Sequence, residues 1–177
     1  MTDVGIETPA EMSRRTEQRV RELFHGLLSQ KDLSDPSCYW TDDAVDTFVA
    51  LGFELAGPEA LAGYFRELFA SMPDWDIEIE RVIANGHEAV VLWTAFGTFD
   101  GAPWRGLQPT GRSVRIAVVD AVELSDDGRV RRNVVHWDGL EMMRQLGLMP
   151  PRDSRRERAL MAGMNALTRV RRALRRG

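Results

Sequence analysis

The most regular alternation of apolar and polar residues in the chain predicts two neighbouring strands. From Val114 to Leu124 every second side chain but one is a large aliphatic, which is the two-residue period of a half-buried strand. The turn signal Asp126-Asp127-Gly128 ends this run, and Val130 to Trp137 follows as a second strand. We therefore predict that these two strands are antiparallel neighbours in one sheet.

The segments before these two strands predict helices and three further strands. They are a helix from the Thr8 capping box to about Gln30, a turn or short helix at Asp35-Pro36, a strand over 44–53 that Gly52 could break, a helix over 57–71, and strands over 75–83 and 88–99 joined at Asn85-Gly86. Residues 100–108 form a loop that carries Trp104. This order predicts an α+β fold in which a strongly bent, mostly antiparallel sheet wraps around helices and leaves a deep pocket.

Asp120 is the one charged side chain on the inward phase of the strand from Val114 to Leu124. A buried carboxylate is costly unless it is paired or hydrogen-bonded, so we expect either a raised pKa or a dedicated partner. Groups with perturbed pKa values cluster at functional sites, which makes Asp120 the first candidate for an acid/base residue. The alternative is a strand of reversed phase, with Asp120 paired to an arginine at a subunit interface.

Composition indicates a globular domain without a metal site. A chain of 177 residues with 44% hydrophobic and 28% charged residues is ordinary for such a domain. The N-terminus lacks the layout of a signal peptide and no apolar run is long enough to span a membrane, so we expect a cytoplasmic protein. Cys38 is the only cysteine, and no Cys/His cluster has zinc spacing. We expect no nucleic-acid partner.

Residues 151–177 differ in charge from the domain that we predict over residues 1–150. They contain nine arginines against two acids, a net charge of +7, whereas residues 1–150 carry −11. A helix is predicted from about Ser154, with one apolar stripe formed by Leu160, Met164, Leu167, Val170 and Leu174. We expect this basic amphipathic helix to dock on the acidic body of its own chain or on a second subunit. Contact with an anionic membrane surface is the alternative that we favour less.

Three short motifs make the chain similar to a known family. They are Pro109-Thr110-Gly111-Arg112-Ser113, the turn Asp127-Gly128, and Trp137-Asp138 followed by Gln145-Leu146-Gly147. In this order and spacing, residues 10–148 resemble the SnoaL-like polyketide cyclase branch of the nuclear-transport-factor-2-like (NTF2-like) superfamily. The resemblance implies a conical α+β barrel with a deep pocket, in a homodimer. Relatives include cyclases, isomerases, epoxide hydrolases and non-catalytic binding modules, so the fold alone does not decide the function.

The catalytic residues of these relatives do not transfer to this sequence. In SnoaL-type cyclases the acid/base aspartate lies ten residues before the glutamine of Gln-Leu-Gly, and Val135 occupies that position here. Alignment with ketosteroid isomerases places Gly26 and Phe48 where a tyrosine and a base are needed. The strand over 89–99 lacks the Arg-x-Asp pair of the epoxide hydrolases. Alignment on the PTGR motif places Asp120 where the cyclases hold a polar pocket histidine.

Three further side chains are weaker catalytic candidates. His136 could shuttle protons, because histidine is the side chain best suited to that role, but its strand phase turns it away from the pocket unless the strand end is bulged. Asp138 is expected to cap the final short helix, and the resemblance implies that this position borders the pocket mouth. Asp46 could form a carboxylate pair with Asp120 across the cone, although an aspartate beside Asp42-Asp43 is more often solvated.

Most aromatic side chains, Tyr64 and Trp75 included, are expected in the core, and a pocket lined by some of them suits a flat, apolar ligand. Asn133 is expected to steady an enolate oxygen. The predicted substrate-binding residues are Trp40, Phe48, Phe65, Phe69, Trp93, Trp104, Val118, Asn133, Val135 and Trp137.

The leading hypothesis is a cofactor-free cyclase or isomerase that acts on a hydrophobic polyketide- or terpenoid-like intermediate of secondary metabolism, such as antibiotic biosynthesis. Asp120 serves as its acid/base residue. The alternative is a non-catalytic small-molecule-binding or assembly module on the same fold, which the missing family carboxylates support. An epoxide-opening enzyme is the third hypothesis, and it requires Asp120 to replace the usual acid.

Overall fold

The computed structural model describes residues 8–175, so the first seven residues of the predicted domain and the last two of the basic segment lie outside it. Within residues 8–175 the chain forms four α-helices and six β-strands. In order they are α1 (Pro9–Phe24), β1 (Trp40–Phe48), β2 (Phe53–Ala56), α2 (Pro58–Ser71), β3 (Asp76–Asn85), β4 (Glu88–Phe99), β5 (Arg112–Leu124), β6 (Val130–Trp137), α3 (Gly139–Gln145) and α4 (Arg155–Leu174). A π-helical turn (His25–Ser29) extends α1, and two 3₁₀ turns cover Pro36–Cys38 and Val49–Leu51.

The six strands form one mixed sheet in the order β2-β1-β6-β5-β4-β3. Every neighbouring pair is antiparallel except β1 and β6, which are parallel. The predicted α+β fold with a mostly antiparallel sheet is therefore confirmed. The sheet does not close, because β2 and β3 remain as its two edges.

The start of α1 follows the predicted capping box. The Thr8 side chain accepts a hydrogen bond from the Glu11 amide, and the Glu11 carboxylate accepts one from the Thr8 amide at 2.9 Å. These contacts satisfy two of the amide groups that every helix start leaves unpaired. The predicted strand over 44–53 is wrong in its bounds, because Gly52 adopts a left-handed φ of 70° and turns the chain from β1 into β2.

The core lies between the inner face of the sheet and the two long helices of the domain. Val20, Leu23 and Phe24 of α1, with Leu61 and Leu68 of α2, belong to one buried cluster with the inward residues of β1, β4, β5 and β6. Removing this apolar surface from water is the main stabilising contribution. The helices cover only part of the inner face, which leaves room for a cavity.

The loop between β4 and β5 approaches the end of α2 at Gly101. The Gly101 amide donates to the Ser71 carbonyl at 3.1 Å, and the Ala102 amide donates to the Ala70 carbonyl at 2.8 Å. A Cβ atom on Gly101 would lie 2.2 Å from the Ala70 carbonyl oxygen. Only glycine therefore allows this approach, which fixes the loop that carries Trp104.

The C-terminal helix α4 extends away from the rest of the described chain. Its start is fixed by an ion pair of 2.7 Å between Arg144 and Glu157. Leu160, Met164 and Leu167 of the apolar stripe are 39%, 55% and 51% exposed. The expectation that this stripe docks on the acidic body of its own chain is therefore wrong, because the stripe faces solvent. No helix within residues 8–175 has the length and apolar character needed to cross a bilayer.

Replacement of Gly101 tests the contact between the loop and α2. Gly101→Ala forces a methyl group against backbone and should destabilise the fold by about 2–3 kcal/mol, a fall of roughly 5–10 °C in Tm. Gly63→Ala in α2 is the matched control, because a Cβ atom there meets nothing within 4 Å. It should leave Tm unchanged or raise it, since alanine favours a helix. Equal Tm values for both variants in thermal unfolding would contradict the assignment.

Candidate functional site

An apolar cavity lies between the inner face of the sheet and the helices. The centre of a water molecule can occupy about 90 Å³ of this cavity, so the empty space out to its walls is larger than that figure. Its walls come from α1, α2, α3 and strands β1, β4, β5 and β6. The polar side chains Asp46, Asp120 and Asn133 lie together on the sheet side of this cavity.

Asp120 lies on β5 with the predicted inward phase and is 3% exposed. The indole Nε1 of Trp93 donates to its Oδ1 at 3.3 Å, and the amide Nδ2 of Asn133 donates to its Oδ2 at 3.2 Å. Burial raises the pKa of Asp120 to about 7, against the lowering effect of these two hydrogen bonds. The carboxyl therefore combines a raised pKa with dedicated partners.

Asp46 lies on the inward face of β1 and is 2% exposed. In the parallel ladder it is the register partner of Asn133 on β6. Burial and then the neighbouring charge of Asp120 raise the pKa of Asp46 to about 8, although Asn133 and Trp40 act to lower it. Its Oδ1 atom is buried without a hydrogen-bond partner. The two carboxyls thus form a pair around Asn133.

Sequence reasoning gave Asp46 little weight because of its neighbours Asp42 and Asp43, but the signal was present. Ala44, Asp46 and Phe48 alternate with more exposed residues, and all three are buried. This is the same two-residue period that identified Asp120. Asp43 lies on the opposite phase of the strand, and Asp42 precedes the regular pairing of β1 with β6 that begins at Val45, so neither exposed acid implies that Asp46 is exposed.

Asn133 contacts the carboxyls on the wall of the cavity. Its amide nitrogen donates to Asp120, while its Oδ1 is buried and unpartnered. One N–H of the Asn133 amide is engaged by Asp120, and Asn133 also lines the cavity, so its role toward an enolate oxygen stays a prediction. The position of Asn133 next to both Asp46 and Asp120 fixes where the two carboxyl groups lie.

His136 and Asp138 do not line the cavity. His136 is exposed on the outer face of β6, opposite Val119 of β5, because the strand has no bulge at its end. Asp138 accepts a hydrogen bond of 2.9 Å from the Glu141 amide and so caps α3. His136 therefore points away from the pocket, as its strand phase predicts, and Asp138 is the predicted helix cap, so neither residue lines the cavity as a catalytic group.

Nine of the ten predicted substrate-binding residues line the cavity. The exception is Phe69, which lies on α2 one helical turn beyond Phe65, with ring centroids 5.9 Å apart. Phe65 is buried and faces the cavity, whereas Phe69 is half-buried outside it. The residues that line the cavity are Trp40, Phe48, Phe65, Trp93, Trp104, Val118, Asn133, Val135 and Trp137.

Tyr64 and Trp75, which the sequence assigns to the core, also line the cavity. Burial raises the pKa of the Tyr64 phenol, so this group remains a neutral hydroxyl. The indole nitrogens of Trp75 and Trp104 are buried without a partner. No sequence signal separates such an aromatic residue from an ordinary core residue, because the difference is the empty space beside it.

The cavity wall offers neither a cationic side chain nor a metal site. None of its lining residues is an arginine or lysine. Within residues 8–175, no group of three or more His, Cys, Asp or Glu side chains is placed to hold a metal ion. The chemistry available at the described wall is that of two carboxyls, one carboxamide, two phenols and several indole N–H groups.

Solved structures with the same fold come from several bacteria. AclR, a candidate hydroxylase from Streptomyces galilaeus, is 19% identical with a TM-score of 0.67 over 91% of this chain and 97% of that chain. A candidate SnoaL-like polyketide cyclase from Jannaschia sp. CCS1 is 23% identical with a TM-score of 0.64 over 76% and 96%. IdmH, a candidate polyketide cyclase from Streptomyces antibioticus, is 22% identical with a TM-score of 0.63 over 75% and 99%.

At these identities the likeness shows the fold. A search of curated protein sequences gives no significant match. The family model described as "SnoaL-like polyketide cyclase" matches residues 18–146, which span every wall of the cavity. The chain therefore belongs to the SnoaL-like polyketide cyclase family.

Proposed function

We propose that this protein is a cofactor-free cyclase or isomerase that acts on a hydrophobic polyketide- or terpenoid-like intermediate. The observation that carries the proposal is the pair of buried carboxyls, Asp46 and Asp120, on the wall of an apolar cavity. A role in cytoplasmic secondary metabolism, such as antibiotic biosynthesis, belongs to the same proposal and follows from the family alone.

The pair is suited to hold one proton between two groups near neutral pH. With a pKa of about 8, Asp46 is mostly protonated at pH 7, whereas Asp120, with a pKa of about 7, is partly ionised. Two close carboxyls do not both ionise readily, because their charges repel. Asp120 then supplies the base and Asp46 supplies the acid.

The reaction begins when the Asp120 carboxylate removes a proton from a carbon next to a substrate carbonyl. The C–H electron pair forms an enolate, and its negative charge is stabilised by the Asp46 hydroxyl as a hydrogen-bond donor. In an isomerisation, protonated Asp120 returns the proton to another carbon. In a ring closure, the enolate carbon attacks a second carbonyl carbon, and the new alkoxide oxygen takes its proton from Asp46 while Asp120 keeps the first one.

The position of Asp120 compensates for the valine that replaces the family carboxylate. Val135 on β6 and Asp120 on β5 are direct register partners, about 5 Å apart in a ladder of this kind. The carboxylate has therefore moved across one strand while remaining on the same face. The non-catalytic alternative rests on the missing family carboxylates, and the epoxide-opening hypothesis is weakened because no arginine lines the described cavity.

Exchange of carbon-bound hydrogen provides a test that needs no knowledge of the natural substrate. 4,4′-Diacetylbiphenyl, an apolar ketone, should exchange its acetyl methyl protons for deuterium in D₂O faster with the protein than without it, as measured by NMR. Asp120→Asn should lower the protein-dependent rate about 10²- to 10⁴-fold, the usual effect of a lost general base. Asp46→Asn should lower it less, because an amide still donates a hydrogen bond.

Asp42→Asn is the matched control for these variants, because Asp42 lies on the same strand as Asp46 but is exposed. Its exchange rate should equal that of the unmodified protein. Full exchange in Asp120→Asn would reject the acid/base assignment. Tight ketone binding with no exchange in any variant would instead support the non-catalytic binding module.

The raised pKa values of both carboxyls predict a stability that falls as the pH rises. Folded pKa values of about 8 and about 7 lie above the ordinary value of 3.8, so the folded state binds more protons than the unfolded state in this range. The contribution of the two carboxyls to the free energy of unfolding should be fully present below about pH 4. Between about pH 4 and pH 8 it should decrease by about 1.4 kcal/mol per pH unit for each proton that only the folded state binds. Urea unfolding at pH 5 and pH 8.5 measures this difference, which the double variant Asp46→Asn/Asp120→Asn should reduce.

We also propose that the protein forms a homodimer through the outer face of the sheet. Ile83, Val90 and Val119 on this face are 56%, 39% and 40% exposed, and Ile83 pairs directly with Val90 across two strands. Glu88 and Arg132 lie beside them, so a two-fold axis can place the acid of one subunit against the base of the other. The basic α4 would then dock on the acidic body of the partner.

Substitution on this outer face tests the dimer. Val119→Glu should convert the protein to a monomer in light scattering coupled to size exclusion, because it buries a charge at the interface. Val49→Glu is the control, since Val49 is 46% exposed but lies outside the sheet face. Truncation after Pro151 should weaken the dimer if α4 docks on the partner. A monomeric unmodified protein, or a dimeric Val119→Glu variant, would contradict the interface.

A further inference from the structure

We propose that Trp75 and Trp104 form an anchoring subsite that binds a remote oxygen of the substrate, at the opposite end of the cavity from the two carboxyls. The natural ligand would then be an elongated apolar body with an oxygen function at each end. One oxygen belongs to the reacting carbonyl, and the other accepts hydrogen bonds from the two indole N–H groups. This inference rests on the proposed function, because it concerns the same cavity.

The unpartnered polar atoms of the protein concentrate in this cavity. Within residues 8–175, five buried side-chain nitrogen or oxygen atoms have no hydrogen-bond partner, and four belong to residues of the cavity wall. These four are Asp46 Oδ1, Asn133 Oδ1, Trp75 Nε1 and Trp104 Nε1. A buried donor or acceptor without a partner is destabilising, so such a concentration indicates polar groups supplied from inside the cavity.

The two tryptophan nitrogens differ in chemistry from the carboxyl pair. An indole N–H can only donate a hydrogen bond, so its partner must carry an acceptor such as a carbonyl, ether or hydroxyl oxygen. Trp93 shows how this cavity satisfies an indole, because its Nε1 donates to Asp120 at 3.3 Å. Within the described part of the chain, the Trp75 and Trp104 nitrogens have no equivalent acceptor.

The two ends of the cavity are separated along β4. A Cβ atom on Gly97 would lie 3.3 Å from the Cα atom of Trp75, whereas Val91 is the register partner of Asp120. Six residues of strand separate Gly97 from Val91, so Trp75 and Asp120 enter the cavity from well-separated positions along β4. A ligand that contacts both groups therefore carries its two oxygens apart from each other, as on two linked rings.

Both tryptophans are held in place by backbone contacts near the end of α2. The Trp75 amide donates to the Met72 carbonyl at 3.0 Å. Trp104 exchanges two backbone hydrogen bonds with Leu107, at 3.0 and 2.9 Å, in the loop that Gly101 fixes against α2. Donors on a rigid support lose little entropy when they bind, which is the property of a built subsite.

A matched pair of probes tests the subsite. 4,4′-Diacetylbiphenyl carries a carbonyl at both ends, whereas in 4-acetyl-4′-ethylbiphenyl a methylene group replaces one carbonyl. The unmodified protein should bind the diketone about 3- to 10-fold more tightly in calorimetry, the range expected for a neutral hydrogen bond. Trp75→Phe and Trp104→Phe, which keep an aromatic ring, should each remove most of this preference and leave the Kd of the ethyl compound within about twofold.

Trp137→Phe is the control for these substitutions. Trp137 lines the same cavity, but its indole nitrogen is not among the buried atoms that lack a partner. This variant should keep the preference for the diketone. Equal affinity of the unmodified protein for the two probes would overturn the proposal. An equal loss of affinity for both probes in Trp75→Phe and Trp104→Phe would also overturn it, because a purely structural role weakens the binding of both probes.

The binding preference for the diketone does not depend on catalysis. Asp120→Asn should retain the preference for the diketone, since Asp120 lies at the other end of the cavity. A preserved preference without hydrogen exchange would reject the acid/base mechanism and keep the subsite. Hydrogen exchange without a preference for the diketone would support the acid/base mechanism and reject the subsite.

Discussion

The burial of two carboxyl groups on one face of a bent sheet is the constraint on which the rest of this structure depends. An isolated carboxyl in an apolar interior is strongly destabilising as an anion, so each group needs hydrogen-bond donors or a proton. The chain supplies Trp93 and Asn133 to Asp120, and it places Asn133 as the register partner of Asp46. The remaining cost appears as raised pKa values, which bring both groups into the range where proton transfer is useful.

This arrangement requires the unusual pairing of β1 with β6. Residues on β1 are far in sequence from those on β5 and β6, and the one parallel pairing in the described sheet brings Asp46 beside Asn133. β5 and β6 then place Asp120 directly across from Val135. Asp120 and Val135 therefore lie on the same face of the sheet, since side chains of paired residues lie close together.

The remaining parts of the fold keep this face dry and shape the space in front of it. α1 and α2 bury their apolar sides against the sheet, and aromatic rings fill the gap between them. The loop fixed by Gly101 adds Trp104 from outside the sheet. Water exclusion strengthens every polar interaction inside the cavity, so the same packing that stabilises the fold sets the electrostatics of the site.

The sequence by itself determined the α+β class, the order of the elements, the capped start of α1 and the inward phase of Asp120, because these follow from local periodicity and capping chemistry. It also indicated the apolar lining of the cavity. Only the tertiary structure decided that Asp46 joins Asp120, that Asn133 faces the carboxyls and that His136, Asp138 and Phe69 lie outside the cavity. The same holds for the exposed stripe of α4 and the unpartnered nitrogens of Trp75 and Trp104. The repeat of apolar and polar residues identifies the face of the strand on which a side chain lies. The neighbours of that side chain depend instead on strand register and on contacts between residues that are distant in the chain.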